Sequence, residues 1–331
     1  MVRTCHWFRD AVTQPEGRSV LHVAASDGER VALTAFLTYT VLAGGNAVCI
    51  RFSNRELAPL WGASLRFALA AAVLLAIMVV LRLTFPRGRG LIGSLLYGLL
   101  NISAGFGLVY YGLVQVHAGL GQILLALVPL ATLLLAVLWR QERLGAAAVM
   151  GTLLALAGVA VVSRSPLQQD VPLLSVLAVV GGAVCFAQAL VFVRRFPRVH
   201  PVTMNAAGMA AGAAVLMAAS LIAGEPIVLP HRPETWAAMA YLVVIGSVVV
   251  FLLYLVVLRY WTASRASYGF VIIPFVTLVL SAWLDNEPLG ISLVLGGLSI
   301  LAGVYIGVLR RARSHAAAVD PNADMGRSTG R

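Results

Sequence analysis

"VPLATLLLAVLWRQERLG" (residues 128–145) recurs as "IPFVTLVLSAWLDNEPLG" at residues 273–290. An ungapped comparison of 128–162 with 273–307 gives 14 identical pairs among 35. A weaker similarity relates "GGNAVC" (44–49) to "GGAVC" (181–185), and residues 59–74 to 201–216. The chain is therefore an internal duplication. The identical pairs include the residues that most restrict the backbone, namely Pro129/Pro274, Gly145/Gly290, Gly151/Gly296 and Gly158/Gly303.

The composition is that of a membrane protein. Of 331 residues, 60% are hydrophobic and only 11% are charged, whereas soluble proteins are about half apolar and a quarter charged. A run of about 18 or more apolar residues can cross about 30 Å of hydrocarbon as a helix. Ten such runs predict an all-α membrane protein with ten transmembrane helices, at 31–50, 58–81, 91–113, 118–139, 145–163, 172–193, 203–224, 237–258, 265–284 and 289–309.

The connectors between these runs are too short to hold a soluble domain. We expect an N-terminal tail (1–30), a first repeat of helices 1–5 (31–163), a second repeat of helices 6–10 (172–309) and a C-terminal tail (310–331). Because each repeat has an odd number of spans, the second must cross the bilayer in the opposite sense to the first. The sequence therefore predicts two inverted five-helix repeats.

Every basic residue is an arginine, and their distribution predicts the orientation. With the N-terminus inside, 19 of the 24 arginines lie in cytoplasmic tails and connectors, four lie in outer connectors, and Arg66 lies in a span. This bias predicts an inner or plasma membrane protein with both termini cytoplasmic. The net charge of +11 would suggest nucleic acid in a soluble protein, but here the bilayer is the expected partner and we expect no nucleic acid.

Glu142 and Glu287 occupy the same place in the two copies, where one span ends and the next begins. The dipole of the following helix favours an anion at this position. Arg140 and Arg143 flank only the first copy, as expected if the two turns face opposite sides of the membrane. We interpret the glutamates as helix-turn anchors, with direct participation in transport as the alternative.

The paired segments "P-x12-E-x-L-G-x5-G-x6-G" and the "LRF" at 65–67 resemble the EamA repeat of the drug/metabolite transporter superfamily. The resemblance covers about residues 31 to 309. It implies ten spans in two inverted halves and transport of small metabolites or drugs across the inner membrane. The resemblance says almost nothing about which substrate is transported.

Arg66 is the first candidate for a substrate site. It lies about 12 Å below one membrane surface at 1.5 Å per residue, and an arginine at such depth faces protein or a wet cavity. A guanidinium group suits a carboxylate or phosphate. The alternative is a structural arginine bonded to backbone carbonyls, such as those freed by prolines.

Pro129 and Pro274 lie near the middle of their spans and predict matching helix kinks. Each removes a backbone hydrogen bond and frees the carbonyl four residues earlier, that of Leu125 or Phe270. Proline-interrupted spans at matching positions of two halves indicate a central binding site. Proline is also common in membrane helices without any function, so both interpretations stay open.

Asn46, Gln188 and Tyr254 are further candidates for the substrate pathway. Each lies inside an apolar span, where an unpaired amide or hydroxyl group is costly. Such groups either line a cavity or join neighbouring helices through hydrogen bonds.

The segment "VYYGLVQVHAGLGQ" (109–122) supplies a candidate entrance. Tyr111 and Gln115 are four residues apart and share a helix face, and Gln122 follows in the next span. The alternative is an interfacial belt, which tyrosines populate regularly. We assign Tyr110 and His117 to that belt.

Four glycines give the fifth and tenth spans faces of small residues. Such faces allow close backbone contact, so they predict packing, either within the protein or in a homodimer. They are Gly151, Gly158, Gly296 and Gly303.

The sequence excludes several classes of function. It has no HExxH, GxSxG, Walker loop or paired intramembrane aspartates, which argues against an enzyme and leaves no catalytic residues to name. No intramembrane carboxylate is placed for a proton relay. Cys5, Cys49 and Cys185 show no metal-binding spacing, so we expect no disulfide, metal site or cofactor.

We therefore expect a transporter of small solutes that alternates access between its two halves. Export is the expected direction because it is frequent in the family that the chain resembles. Arg66 suggests a solute with a carboxylate or other anionic group. The alternative is a membrane scaffold or lipid-handling protein that transports no solute.

Overall fold

The computed structural model describes residues 21–140, 146–163, 171–193, 195–197, 199–261, 269–286 and 290–306, and every regular element in these ranges is a helix. Seven of the helices are long and apolar enough to cross a membrane, and three apolar helices are shorter. Large apolar side chains cover the outside, such as Ile222, which is 88% exposed, and Trp283, which is 76% exposed. The chain is thus an all-helical, multi-pass membrane protein, as its composition predicted.

The helices follow one another through short connectors. In the first half they are α1 (Leu21–Asn54), α2 (Pro59–Val80), α3 (Gly88–Gly112), α4 (Ala118–Leu125 and Val128–Leu138) and α5 (Ala146–Ser163). In the second half they are α6 (Leu173–Val193), α7 (Pro201–Ile222), α8 (Pro233–Ala240, Tyr241–Val249 and Val250–Tyr260), α9 (Gly269–Leu284) and α10 (Ile291–Val304).

Helix α1 begins at Leu21, nine residues before the predicted end of the N-terminal tail. Two contacts join its first turns to the end of α8. Trp261 Nε1 donates to Glu29 Oε2 at 3.2 Å, and Gly28 lies against the ring of Tyr260. The helix thus overlaps the predicted N-terminal tail (1–30), and the predicted division of the chain into tails and repeats stays a prediction.

Helices α2 and α7, which the duplication relates, pack against each other in antiparallel directions. Ser64 Oγ donates to the Ala213 carbonyl oxygen at 3.0 Å. At the start of α2, the backbone N–H groups of Leu60 and Trp61 donate to the Glu225 carboxylate at 3.2 and 2.9 Å. Glu225 follows α7, so the start of α2 meets the end of α7.

Helices α5 and α10 repeat this arrangement through their glycine faces. A methyl group added to Gly158 would lie 2.6 Å from the Gly296 carbonyl oxygen, and one added to Gly303 would lie 2.5 Å from that of Gly151. Early residues of one helix therefore meet late residues of the other. The glycines that the sequence singled out bring α5 and α10 together within one chain.

Helices α3 and α8 each contain nine residues of π-helix, Gly98–Phe106 and Tyr241–Val249. An offset of about 144 residues relates the two segments, in line with the duplication. In each, a serine hydroxyl donates to the carbonyl five residues earlier: Ser103 to Gly98 at 3.5 Å and Ser247 to Leu242 at 2.8 Å. The sequence analysis did not predict these segments. π-Helices are rare and often lie at functional sites.

Candidate functional site

A cavity of about 170 Å³ lies between the two halves of the chain. Helices α1, α2, α3 and α4 line it from the first half, and α6, α8 and α9 from the second. Its wall is mostly apolar. Arg66, Asn46 and Gln122 contribute the charged and amide side chains, so a solute in this cavity meets one cation, two amides and apolar surface.

Arg66 is the charged group of the cavity, and its side chain is only 2% exposed. Its Nε donates to Ser247 Oγ at 3.1 Å and its Nη2 donates to Asn46 Oδ1 at 3.3 Å. The guanidinium carbon lies 4.8 Å from the ring centroid of Phe67 and 5.2 Å from that of Phe106, within the range of cation–π attraction. Side chains and aromatic rings hold this arginine, rather than backbone carbonyls freed by prolines.

The third nitrogen of the guanidinium group, Arg66 Nη1, is buried and has no hydrogen-bond partner among the described residues. No carboxylate among these residues pairs with Arg66, and none lines the cavity. An arginine side chain stays charged in proteins, and a buried charge without a counter-charge attracts an anion. The cavity is therefore electrostatically suited to an anionic group.

Ser247 positions Arg66, and the sequence analysis missed it. Its hydroxyl accepts from Arg66 Nε and donates to the Leu242 carbonyl, so the π-helix of α8 fixes the rotation of that hydroxyl. A sequence signal was available: Tyr97, Ser103 and Tyr110 recur as Tyr241, Ser247 and Tyr254 with an offset of 144 residues.

Two aromatic residues of the cavity were also missed. Phe106 and Phe186 lie with ring centroids 4.9 Å apart, one on α3 and the other on α6. Both line the cavity. A phenylalanine in an apolar span does not indicate function, because phenylalanine occurs both facing lipid and buried in a protein core.

The two prolines lie beside the cavity. Pro129 begins the second segment of α4, and the helix is interrupted at Ala126 and Leu127, directly after the lining residue Leu125. Pro274 lies inside α9, next to the lining residue Ile273. Irregular backbone at such depth is tolerated where it is buried in protein or lines a cavity. A role of the prolines in transport stays a prediction.

The structure places Gln122 in the cavity wall, apart from the other two residues of the candidate entrance. Tyr111 is 46% exposed on the outside of the bundle. Gln115 is exposed as well, and its Oε1 accepts from Ser175 Oγ at 2.8 Å. Helix α3 turns this pair away from the cavity, a rotation that spacing alone did not determine.

Gln188 and Tyr254 also lie away from the cavity. Gln188 Oε1 accepts from Trp139 Nε1 at 3.5 Å, so it joins α6 to the end of α4. The ring of Tyr254 packs against Tyr39, with centroids 5.5 Å apart. The hydrogen bond of Gln188 joins two helices, which is the alternative that the sequence left open. Tyr254 joins α8 to α1 through ring packing instead.

Tyr110 is fully buried, at 0% exposed, so its assignment to an interfacial belt was wrong. It lies in the last turn of α3, where Asn54 Nδ2 donates to its carbonyl oxygen at 2.8 Å. Its hydroxyl interacts electrostatically with Arg66. Proximity to a turn suggested the membrane surface, but the neighbouring ends of α1 and α2 cover this side of α3.

Asp285 ties together one end of the bundle. Its side chain is 2% exposed and forms ion pairs with Arg51, at 2.9 Å, and with Arg55. Arg51 Nη1 also donates to the Val116 carbonyl oxygen at 2.7 Å. Arg51 directly follows Ile50, and Val116 comes three residues after Leu113; both Ile50 and Leu113 line the cavity. They close that end of it by joining α1, α9 and the α3–α4 turn.

Glu142 and Glu287 lie outside the described residues, so their interpretation as anchors stays a prediction. Within the described part of the chain, His, Cys, Asp and Glu form no group of three or more that could hold a metal ion.

A multi-pass helical protein with a buried, charged cavity between two duplicated halves belongs by its architecture to the membrane transporters. The EamA-like transporter family matches residues 30–164 and again 173–309. The chain therefore belongs to the EamA-like transporter family.

Curated relatives carry names of the same class. The uncharacterized transporter YyaM of Bacillus subtilis (strain 168) is 26% identical over 83% of this chain and 93% of its own length. The uncharacterized inner membrane transporter YedA of Escherichia coli (strain K12) is 27% identical over 77% of this chain and 83% of its own. One solved crystal structure shares the fold, with a TM-score of 0.61 at 21% identity, over 87% of this chain and 99% of that chain.

Proposed function

We propose that this transporter moves a small organic solute with an anionic group, which binds to Arg66 in the cavity between the two halves. The observation that carries the proposal is a buried guanidinium group with a nitrogen left without a partner among the described residues. Asn46 and Gln122 add hydrogen-bonding capacity, and Phe106 and Phe186 offer an apolar surface to the rest of the solute.

Transport proceeds by alternating access between two inverted repeats of five spans each. The antiparallel packing of α2 on α7 and of α5 on α10 supports this, because equivalent helices of inverted repeats run in opposite directions. Both termini are cytoplasmic, in an inner or plasma membrane, as the arginine distribution favours. The direction is export, which rests on the frequency of export in this family.

The experiment is flux in vesicles that contain the purified protein. Labelled carboxylates, organic phosphates and neutral solutes are compared for uptake and efflux. Arg66→Ala is expected to slow carboxylate or phosphate flux at least tenfold, because hydrogen bonds to charged groups contribute about 1.5–3 kcal/mol. Arg66→Lys keeps the charge but lacks the planar guanidinium group. Its anion flux is expected to lie between those of the wild type and Arg66→Ala.

Arg89→Ala is the control, because Arg89 is exposed and does not line the cavity. Unchanged anion flux in Arg66→Ala would remove the anion site and leave the transporter. If the wild type moved none of the solutes while scrambling labelled lipid, the lipid-handling alternative would replace the proposal.

A further inference from the structure

Two buried hydrogen-bond donors beside the cavity lack partners among the described residues: Arg66 Nη1 and the hydroxyl of Tyr110. The two side chains are 2% and 0% exposed. They are close enough to interact through charge and a weak hydrogen bond, but neither atom has a partner at regular hydrogen-bond geometry among these residues. A buried polar group without a partner costs about 1–3 kcal/mol, more when it is charged. Two such groups side by side are a specific feature that the packing of the bundle does not require.

Tyr110 lies on α3 between two residues that line the cavity, and its hydroxyl interacts with Arg66, although Tyr110 itself is not part of the cavity wall. Leu113 lies one turn later on the same helix face, and it lines the cavity with Val109. Asn54 holds the Tyr110 carbonyl through its Nδ2 at 2.8 Å. This contact fixes the last turn of α3 against the end of α1, so the tyrosine is held in place independently of Arg66.

The chemistry of the two groups complements a single kind of ligand atom. A guanidinium nitrogen only donates hydrogen bonds, and the phenolic oxygen can accept from it but still has its own O–H to donate. An oxygen of a carboxylate or phosphate accepts from both donors at once. Hydrogen bonds to an ionised acceptor are about twice as strong as neutral ones.

We propose that Tyr110 is a second anion-binding group, whose hydroxyl donates to the same oxyanion that Arg66 Nη1 binds. The inference rests on the proposed anion site at Arg66 and adds a neutral donor to it. Tyr110 makes the site selective for an acceptor oxygen over a neutral group that merely fits the apolar wall. Such selectivity arises because a ligand without the acceptor leaves both buried donors unpaired.

The test compares binding of benzoate, inorganic phosphate and benzyl alcohol to the full-length protein in detergent, by the shift in its thermal unfolding midpoint over a range of ligand concentrations. Tyr110→Phe removes one oxygen atom and keeps the ring. We expect the apparent Kd of the bound anion to rise about tenfold or more. The Kd of benzyl alcohol is expected to change less than twofold, because this probe has no anionic oxygen.

Tyr97→Phe is the matched control on the same helix. Its hydroxyl has a partner, since it accepts from Asn101 Nδ2 at 2.7 Å, whereas the hydroxyl of Tyr110 has none among the described residues. We expect this variant to bind the anion as the wild type does. A merely structural role of Tyr110 would weaken all probes in parallel, and that result would overturn the inference.

The two proposals fail in different ways. If the wild type and Arg66→Ala bind the anions equally, the anion site at Arg66 is disproved and the role of Tyr110 with it. If Arg66→Ala loses binding while Tyr110→Phe binds benzoate and phosphate with the affinity of the wild type, only the role of Tyr110 is disproved.

Discussion

At the residue scale, the two halves of the duplication use equivalent side chains for different purposes. Arg66 aligns with Gly208, where α7 approaches α3 so closely that an added methyl group would lie 3.1 Å from the Ser94 carbonyl oxygen. In one half a glycine brings two helices into contact. In the other half the aligned residue is Arg66, which donates to Ser247 on α8 and lines the cavity. Divergence at one aligned pair thus gives the cavity its charge.

Ser247 offers a test of how Arg66 is positioned. Ser247→Ala leaves Arg66 Nε without its hydrogen bond, so the guanidinium group is less well oriented toward the solute. We expect the KM for an anionic solute to rise about tenfold, in line with about 1.5–3 kcal/mol for a hydrogen bond to a charged group. Flux in vesicles at varied solute concentration measures KM and the maximal rate separately.

Ser103→Ala is the matched control for this prediction. Ser103 makes the same hydrogen bond five residues back, and its other acceptor is the Gly212 carbonyl at 3.2 Å. Loss of the Ser103 hydroxyl affects the contact of α3 with α7, but Arg66 Nε keeps its hydrogen bond to Ser247. Equal KM values for the two variants and the wild type would contradict a positioning role for Ser247.

Sequence alone marked Arg66 as a candidate because a charge in an apolar span is rare and costly. It also marked Asn46 for the cavity and Gln122 for an entrance, and the structure places all three side chains in the cavity wall. Sequence analysis failed at Tyr110, Tyr111 and Gln115, because the rotation of α3 decides which of them faces inward. That rotation depends on packing against α1, α6 and α7, and a π-helical segment shifts it further from the regular period of 3.6 residues.

At the element scale, the duplication decides which helices pack together. Antiparallel contacts between α5 and α10 use two glycines from each helix, and the repeat in the sequence had already marked these four positions. The break in α4 next to Pro129 also followed from sequence, since proline cannot donate a backbone hydrogen bond. The π-helices carried no such signal, because no residue type enforces them.

Glycine-to-alanine changes test the α5–α10 contact. Gly158→Ala places a methyl group 2.6 Å from the Gly296 carbonyl oxygen, and backbone cannot move aside as a side chain can. We expect a loss of about 1–3 kcal/mol in the free energy of unfolding, the usual cost of overpacking. Denaturation of the purified protein, followed by circular dichroism, measures it.

Gly181→Ala provides the comparison for this prediction. Its new methyl group meets only Leu108 Cδ1 at 3.4 Å, an ordinary contact with a flexible side chain. Alanine also favours a helix over glycine by up to about 1 kcal/mol, so this variant is expected to be neutral or slightly stabilised. Equal destabilisation of both variants would show that helix composition, and not the α5–α10 contact, determines the effect.

At the scale of the whole molecule, Asp285 joins elements from both halves at one end of the cavity. Its buried carboxylate pairs with Arg51 on α1 and with Arg55 directly after α1, and Arg51 also donates to the Val116 carbonyl oxygen before α4. Under the proposed alternating access, this end of the bundle has to separate during the transport cycle. Removing one partner of a buried ion pair strongly destabilises the structure that holds it. A mutation of Asp285 is therefore expected to separate the helices at this end of the cavity.

Asp285→Asn is therefore expected to expose the cavity from that end. The change removes the charge that holds both arginines, and the like charges of Arg51 and Arg55 then repel each other without a carboxylate between them. With the native cysteines replaced by alanine, a single cysteine at Leu113 reports access through its rate of reaction with a membrane-impermeant maleimide. We expect the labelling rate to rise about tenfold in Asp285→Asn and to stay unchanged in Glu234→Gln, which alters an exposed carboxylate in the first turn of α8.

Salt dependence gives a second test of the same contact. High salt is expected to change the labelling rate of the parent protein little, because salt screens exposed ion pairs far more than a pair whose carboxylate is 2% exposed. An equal labelling rate with and without the Asp285 charge would mean that apolar packing, not this ion pair, closes the end of the cavity.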